Sequence, residues 1–299
     1  DNLVASGMHD VVMAIGFEKL QEGNTTAGIT NMSDPLWGRR LQTGALTGVF
    51  AQKAIDKYGE EKAKKAAMKY RIIMDKHAMK NPKAHRRLGL EFDEMDTLAE
   101  NSPTLVGDLK MIHMCSQSDG ACVVIFASEE KAKEICKQPA WIKDHITVHR
   151  EEAYCAFGDA PHTTTHEYAA QKLFKRNGIT SPVDELDVFE MYDPSCWWGI
   201  DWISEFMMIS SDEAMKLIED DEIMIGGKIP FNPSGGVIAS NPIGATAMVR
   251  VAEAALQIMG DAGEHQVPGE VNQALASGFG GVMWTVLLLL TKEAPVWNE

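Results

Sequence analysis

The sequence contains no long apolar run, no paired cysteines and no excess of positive charge, and each absence excludes a class of protein. The apolar stretch at residues 286–290, like every other uninterrupted apolar stretch of the sequence, is far shorter than the roughly 20 residues that a membrane-spanning helix requires. The 299 residues include 28 Lys and Arg against 43 Asp and Glu, which gives a net charge of −15. Such a charge repels nucleic acid and anionic membranes, so we expect neither as a partner.

The cysteines are odd in number and include no Cys-x-x-Cys pair, which argues against a disulfide framework and a zinc cluster. We therefore expect reduced thiols in a cytoplasmic protein without a bound metal. His162 and His166 have the spacing of metal ligands on a helix, but no third ligand accompanies them, and a structural role is favoured. The five cysteines are Cys115, Cys122, Cys136, Cys155 and Cys196.

Apolar strands alternate with amphipathic helices, which predicts an α/β protein whose strands are mostly buried. The position between a short helix and a long strand, near Lys143, is the best internal boundary and divides the chain into residues 1–142 and 143–299. The predicted strands are residues 10–16, 121–126, 146–157, 187–192 and 281–290. The predicted helices are residues 60–79, 129–137, 164–176, 210–218 and 243–259.

The most specific motif is Phe-Asn-Pro-Ser-Gly-Gly at residues 231–236, followed by Asn-Pro-Ile-Gly-Ala-Thr at residues 241–246, where a helix begins. Paired glycines let a backbone approach a ligand closely, and the free N–H groups of a helix start favour negative charge. We therefore predict a ligand-binding turn at Ser234, Gly235 and Gly236. A tight turn before a core helix is the alternative.

These motifs resemble the C-terminal half of the thiolase superfamily, especially its sterol-carrier-protein-x and archaeal branch. Further segments are similar to the same family in the same order: residues 4–20, His77 with 81–82, 118–121, 177–190 and 266–269. The resemblance therefore spans nearly the whole chain. It implies a thiolase fold of five layers, α/β/α/β/α, made of two similar halves of which the first is incomplete in this chain.

The resemblance also implies where the catalytic groups lie. The family's nucleophilic cysteine is expected upstream of residue 1, about three helical turns before Val4. The family's His-Asp or Asn-Glu loop corresponds to Tyr192-Asp193, and the histidine of its Gly-His-Pro corresponds to Asn241. The family's later Cys or His falls on Leu275-Ala276, which has no acid/base capacity. We expect Tyr192 and Asn241 to be the catalytic residues of this chain and to line an oxyanion hole.

The implied activity is a thiolase-type acyl transfer that cleaves or forms a carbon–carbon bond of a 3-oxoacyl-CoA. Coenzyme A would be the co-substrate, with no covalently bound cofactor, and the acyl chain could be aromatic or branched. A retro-aldol lyase acting on a CoA thioester, with Tyr192 as acid/base, is one alternative. A non-catalytic thiolase-like subunit is another.

The departures at Tyr192 and Asn241 resemble those of thiolase variants such as the benzoylsuccinyl-CoA thiolases. These variants work with a small partner that carries a zinc ribbon and an oligonucleotide-binding fold. The resemblance therefore implies a homodimer that pairs with such a partner.

Three other features have two interpretations. Cys196 follows Tyr192 in the same predicted loop and offers a second thiol, although an isolated cysteine is more often a core residue. The Trp197-Trp198 pair suits either an aromatic acyl pocket or the core. The Arg39-Arg40 pair suits either the phosphates of CoA or a solvated surface.

Overall fold

The structure is a computed structural model. It describes residues 2–23, 43–149, 164–280 and 284–295. The strands are β1 Val11–Lys19, β2 Thr104–Val106, β3 Leu109–Lys110, β4 Asp119–Ala127, β5 Trp141–His149, β6 Val188–Glu190, β7 Gln273–Gly280 and β8 Trp284–Thr291. The helices of the first half are α1 Asn2–Ala5, α2 Thr43–Tyr58, α3 Glu60–Lys80, α4 Met95–Asn101 and α5 Glu129–Ile135. Those of the second half are α6 Thr165–Asn177, α7 Pro182–Glu185, α8 Cys196–Met207, α9 Ser211–Glu219, α10 Gly236–Ala239 and α11 Ile243–Met259.

Two sheets lie on opposite sides of helix α11, which contacts strands of both. The larger sheet has the order β5-β8-β7-β6, in which β6 and β7 are parallel and the other neighbours are antiparallel. The smaller sheet pairs β1 with β4 antiparallel, with Val11 opposite Ala127 and Lys19 opposite Asp119. Helix α11 thus forms a central layer between two β layers.

The larger sheet is covered on both faces because its apolar side chains alternate between two cores. Helices α6 and α8 cover one face, and α11 covers the other. The side chains in the core with α6 and α8 are Leu275, Leu287 and Leu289. Those in the core with α11 are Ala274, Ala276 and Leu290.

The smaller sheet packs closely against α11 on its inner face only. A Cβ at Gly16 would lie 3.1 Å from the Cα of Ala245, so glycine permits this close approach. The outer face is apolar but exposed, with side chains that are 51–71% accessible: Met13, Ile15, Phe17, Val123 and Ile125. The prediction of strands here is confirmed, but the prediction that they are buried is wrong. An apolar run predicts a strand without showing whether another layer covers its second face.

The described layers follow the predicted order: helices α6 and α8, the larger sheet, helix α11, then the smaller sheet. Among the described residues, no fifth layer covers the outer face of the smaller sheet. The predicted boundary near Lys143 falls within β5, and the division into two domains stays a prediction.

Helix predictions agree most closely where capping residues mark the ends. The Thr164 hydroxyl accepts the N–H of Glu167, and Gly178 ends α6 in the left-handed conformation. Helix α8 was not predicted, because it is buried almost all round and its polar stripe consists only of Asp201, Ser204 and Glu205. Within the described ranges, no helix is both long and apolar enough to cross a membrane.

Candidate active site

The glycine-containing turn is held against the carboxyl end of β6 by Asn232. Its backbone N–H donates to the Phe189 carbonyl at 2.7 Å, and its Oδ1 accepts the Met191 N–H at 2.5 Å. Asn232 has a φ of +51°, which asparagine tolerates better than most residues. His77 secures the turn from α3, because its Nδ1 lies 2.9 Å from the Asn232 carbonyl oxygen.

His77 therefore has a structural position. Its Nε2 accepts the Ile225 N–H at 3.0 Å, so Nδ1 carries the proton and donates to Asn232. Burial lowers the pKa of His77 to about 4, so the ring stays neutral at physiological pH.

The two glycines of the turn are enclosed by protein. Gly235 and Gly236 have φ values of +95° and +67°. A Cβ at Gly235 would lie 2.8 Å from the Cβ of Ala78, and one at Gly236 would lie 2.5 Å from Oδ1 of Asp193. The conformation and the packing both require glycine here. Binding of a ligand by these two residues stays a prediction.

Ser234, the third predicted binding residue, is fixed by a buried ion pair. Its N–H and hydroxyl donate to Glu190 at 2.9 and 2.8 Å. The Arg250 guanidinium donates to Glu190 at 2.7 Å and to the Ser234 hydroxyl oxygen at 2.7 Å. Burial raises the pKa of Glu190 to about 7, although Arg250 opposes the shift. The cluster fixes the serine backbone and hydroxyl in one orientation.

Asp193 joins the Tyr192 loop to the same turn. Its Oδ1 accepts the Val237 N–H at 2.6 Å, and its Oδ2 accepts the Tyr70 hydroxyl at 2.7 Å. Burial raises the pKa of Asp193 to about 6, while the hydrogen bond from Tyr70 lowers it. Asp193 thus links helix α3, the loop after β6 and the start of α10.

Tyr192 lies between the ends of β6 and β7 and is only 7% exposed. Its N–H donates to the Ser277 hydroxyl oxygen at 2.9 Å, and its ring centroid lies 5.8 Å from that of Phe279. The residue is therefore rigidly placed at the carboxyl end of the sheet, where α/β proteins commonly hold their ligands.

Asn241, just before α11, is buried, and each end of its side-chain amide makes one hydrogen bond. Its backbone N–H donates to the Ser118 hydroxyl oxygen at 3.3 Å. Its Oδ1 accepts the Thr246 hydroxyl at 2.9 Å, and its Nδ2 donates to the Cys115 sulfur at 3.2 Å. Among the described residues, the second hydrogen of Nδ2 has no partner.

Residues 114–118 connect the loops that carry the two predicted catalytic residues. The Cys115 N–H donates to the Pro194 carbonyl at 3.0 Å, and Met114 forms an antiparallel bridge with Ser195. The same segment contacts Asn241 through Cys115 and Ser118. The contact of Cys115 with Asn241 was not predicted, since nothing in the sequence relates Cys115 to a residue 126 positions later.

A cavity of about 1060 Å³ lies beside α11, between the two sheets. Its walls are mostly apolar and come from β4, β5 and α11, with Val4 and Ala5 of α1 also lining it. Its polar lining includes Asn81, Lys83, Ser234 and Glu253. Ser240 and Pro242 line the cavity, whereas Asn241, Tyr192 and the two glycines are not among its lining residues.

The polar part of this lining is cross-linked. Asn81 Nδ2 donates to the Ser234 carbonyl at 3.1 Å and to Glu253 at 3.3 Å. The other carboxylate oxygen of Glu253 lies 2.8 Å from Nε2 of His265. Burial acts to raise the pKa of Glu253, but the hydrogen bond with His265 and the charge of Arg250 together lower it below its usual value.

The remaining candidates lie in the core. Trp197 is fully buried and donates to Nδ1 of His113 at 3.0 Å. Trp198 is also buried, so the core interpretation holds for both. Burial raises the pKa of the Cys196 thiol to about 12, which leaves it protonated. His166 is buried and contacts the Thr285 hydroxyl.

Several sequence candidates lie outside the described residues, namely Arg39, Arg40, Cys155 and His162. In the described part of the chain, the other four cysteines are free thiols. No group of three His, Cys, Asp or Glu side chains in that part could hold a metal ion. Leu275 and Ala276 are fully buried in β7.

Residues 147–292 match the family "Thiolase C-terminal domain-like". An acetyl-CoA acetyltransferase of Methanothermobacter thermautotrophicus is 29% identical, covering 89% of this chain and 68% of that protein. Sterol carrier protein 2 of Gallus gallus is 27% identical, covering 95% of this chain but 54% of that protein. Benzoylsuccinyl-CoA thiolase subunit BbsB of Thauera aromatica is 25% identical, covering 93% of this chain and 71% of that protein. The chain thus spans about half to about three quarters of these relatives.

Two solved structures share the fold across nearly the whole chain. An "Ltp2-ChsH2(DUF35) aldolase" aligns with a TM-score of 0.81 at 23% identity, covering 99% of this chain and 76% of that chain. The dimeric peroxisomal thiolase of Saccharomyces cerevisiae aligns with a TM-score of 0.62 at 15% identity, covering 98% and 71%. The predicted thiolase fold is confirmed, and the chain is similar in sequence to thiolase-family proteins over most of its length.

Proposed function

We propose that the protein is a thiolase-type enzyme that cleaves or forms the carbon–carbon bond of a 3-oxoacyl-CoA. In the cleavage direction, the C2–C3 bond breaks and the C3 acyl group passes to the sulfur of coenzyme A, which gives a shortened acyl-CoA. C2 takes up the proton that the CoA thiol gives up, and the C1–C2 fragment leaves as a second acyl-CoA, which is acetyl-CoA when C2 is unbranched. The observation that supports this best is that residues 114–118 join the Tyr192 loop to Asn241. Residues far apart in the sequence thereby meet at one end of the central helix.

The cavity supports a long, mostly apolar acyl ligand with a polar end. Its volume is at the upper limit of ordinary ligand pockets. Ser234 is the predicted binding residue that lines it, and Gly235 and Gly236 would act by shaping the turn next to it. Lys83 supplies local positive charge for an anionic ligand in this acidic chain.

Asn241 would stabilise the negative charge that develops on the thioester oxygen when C2 becomes an enolate. A side-chain amide donates a hydrogen bond without titrating, so this contribution should not depend on pH. The second hydrogen on Nδ2 of Asn241 would donate this hydrogen bond. Tyr192 would supply a second polar group from the adjoining loop.

The nucleophilic cysteine would come from residues before Val4. The last helical turn, α1, contributes Val4 and Ala5 to the same cavity that Ser234 lines. A nucleophile three helical turns before Val4 would lie about 16 Å from it along the helix axis.

A retro-aldol lyase is the second candidate, favoured by the residues around Tyr192. Leu275 and Ala276 are buried and offer no acid or base, which leaves Tyr192 as the titratable member of the predicted pair. In this reaction a base removes the proton of the 3-hydroxyl group, the C2–C3 bond breaks, and a carbonyl product leaves. The acyl-CoA enolate then takes up a proton at C2, and no cysteine nucleophile is required.

We also propose a homodimer that pairs with a small zinc-binding partner. One solved structure with the same fold is an aldolase whose name includes a DUF35 component. A relative in sequence is called a thiolase subunit. Co-purification from the native source, with zinc analysis of the complex, tests this. A fully active single polypeptide without zinc would contradict the partner.

The function is tested with the full-length protein and two substrates, a 3-oxoacyl-CoA with coenzyme A and a 3-hydroxyacyl-CoA. Thiolase activity predicts turnover of the first and an acyl-cysteine trapped by mass spectrometry. Lyase activity predicts turnover of the second without an acyl-enzyme. If neither substrate is turned over, with or without the partner, the remaining interpretation is a non-catalytic subunit.

The catalytic residues are tested in the same assay. Asn241→Ala should reduce turnover about a hundred- to a thousandfold, as loss of an oxyanion donor typically does. Tyr192→Phe should reduce turnover more strongly in the lyase, because it removes the proton relay. Ser204→Ala, which removes a hydroxyl contact within α8, is the control and should retain parental turnover. Parental turnover by both site variants would exclude these loops as the active site.

A further inference from the structure

The Asn241 amide is held by two side chains that differ in hydrogen-bonding strength. Thr246 has a hydroxyl, which is a strong donor, and Cys115 has a thiol, which is weak both as donor and as acceptor. The Thr246 hydroxyl lies 2.9 Å from one end of the amide, and the Cys115 sulfur lies 3.2 Å from the other. The strong donor favours the amide oxygen at Thr246, which places the NH₂ group at the sulfur.

An amide group is planar, so these two contacts determine the direction of every polar atom in it. Once Oδ1 faces Thr246 and one Nδ2 hydrogen faces Cys115, the second hydrogen has a single direction. The backbone is fixed as well, by the hydrogen bond from the Asn241 N–H to Ser118. Removing the sulfur would leave Thr246 as the sole side-chain contact and permit the amide to rotate.

We propose that Cys115 is a positioning residue that holds the Asn241 amide with its second Nδ2 hydrogen directed at the substrate oxygen. The inference rests on the proposed role of Asn241 as an oxyanion donor. Cys115 suits the role because its own N–H is bonded to Pro194, in the loop that carries Tyr192. Cys115 thereby fixes the Asn241 amide relative to the loop that carries Tyr192.

The sulfur acts here as a neutral acceptor and not as a nucleophile. Burial raises the pKa of the Cys115 thiol to about 12, and the hydrogen bond from Asn241 offsets only part of the shift. A serine at this position keeps an acceptor in nearly the same place, whereas alanine removes it. The two substitutions therefore separate the hydrogen bond from the bulk of the side chain.

The experiment compares Cys115→Ala, Cys115→Ser and Asn241→Ala in the full-length protein. Turnover is measured with the better of the two CoA substrates, and the side-chain amide of Asn241 is observed by NMR after selective ¹⁵N-asparagine labelling. Its two hydrogens are assigned by their loss in Asn241→Ala. We expect Cys115→Ala to shift both signals and to lower kcat about ten- to a hundredfold, the cost of a misplaced catalytic group, with KM changed less than about twofold.

Cys115→Ser should restore most of the kcat lost in Cys115→Ala and should return the two amide signals toward their parental positions. Unchanged amide signals in Cys115→Ala would overturn the proposal, because the sulfur would then not hold the amide. Shifted signals with parental kcat would overturn it too, provided that Asn241→Ala is impaired. Parental turnover by Asn241→Ala would instead refute the proposed function of Asn241, and with it any catalytic effect of Cys115.

Discussion

The two sheets on either side of α11 contain similar apolar patterns but differ in how they are covered. In the larger sheet, Leu287 and Leu289 are fully buried. In the smaller sheet, Met13 and Phe17 remain 61% and 71% exposed on the outer face. The same alternation of side chains therefore forms core in one place and surface in the other.

The difference shows where the buried contacts are concentrated. The buried bonds that fix Tyr192, Ser234 and Asn241 all lie on the covered side or at the ends of α11. A contiguous apolar face of the kind seen on β1 and β4 typically marks a site of contact with another segment or chain. We therefore expect substitutions in the larger sheet to affect folding and those on the outer face to affect association.

The largest effect should come from the buried ion pair. Arg250→Leu removes the cation that Glu190 contacts at 2.7 Å in a fully buried site, and breaking such a pair costs about 3–5 kcal/mol. Lys216→Leu removes a partner of Asp220 on the surface and should cost far less, because solvent screens an exposed ion pair. Urea unfolding of both variants measures the two costs. Equal costs would show that the Glu190–Arg250 cluster does not anchor the fold.

Matched truncations compare the two sheets directly. Leu289→Ala creates a cavity in the main core and should lower the free energy of unfolding by about 2–5 kcal/mol. Ile15→Ala, at a position 56% exposed, should change it by no more than about 0.5 kcal/mol. If Ile15→Ala cost as much as Leu289→Ala, the outer face would be covered in solution, and the contrast between the sheets would disappear.

The fold could be predicted largely because apolar periodicity and capping residues act locally. The capping contact of Thr164 and the stop at Gly178 are visible in a few residues, so α6 was placed within one residue. Coverage of a strand's second face depends on elements distant in sequence, which is why the exposure of Phe17 was missed. The identity of a layered thiolase fold came from resemblance, because periodicity alone does not order layers.

The candidate site was only partly predictable for the same reason. The turn at Ser234 and the helix start after Asn241 have local sequence patterns, and the structure shows how each is held. The enclosure of Gly235 by Ala78 depends on α3, which lies far away in the sequence. Cys115 contacts Asn241 only because residues 114–118 run between two loops, a relation that no spacing encodes.

The stability of the protein should also depend on pH through His166, which packs against the larger sheet. Burial lowers the pKa of His166 to about 3, whereas the unfolded histidine keeps its usual value near 6.5. The unfolded state therefore binds a proton that the folded state does not as the pH falls below 6.5, and stability decreases. At pH 5 the loss relative to pH 7 should be about 2 kcal/mol for this group.

The variant His166→Phe with Thr285→Val removes this titration. It replaces both members of the buried polar contact and keeps an aromatic ring beside Trp202 and Phe206. Urea unfolding at pH 5 and pH 7 should show a smaller decrease in stability for the variant than for the parent. The same decrease in both proteins would mean that His166 does not control this part of the pH dependence.

The smallest effect on stability should come from the outer face itself. Phe17→Ser replaces the most exposed large side chain of β1 and should change the free energy of unfolding by no more than about 0.5 kcal/mol. The same change removes an apolar contact surface, so it should reduce both self-association and the fluorescence of a dye that binds exposed apolar groups. Lys19→Ser, on the same strand and also exposed, is the control and should leave dye binding unchanged. A large loss of stability in Phe17→Ser would show that another chain or segment packs on this face in solution, since an exposed ring has few contacts to lose.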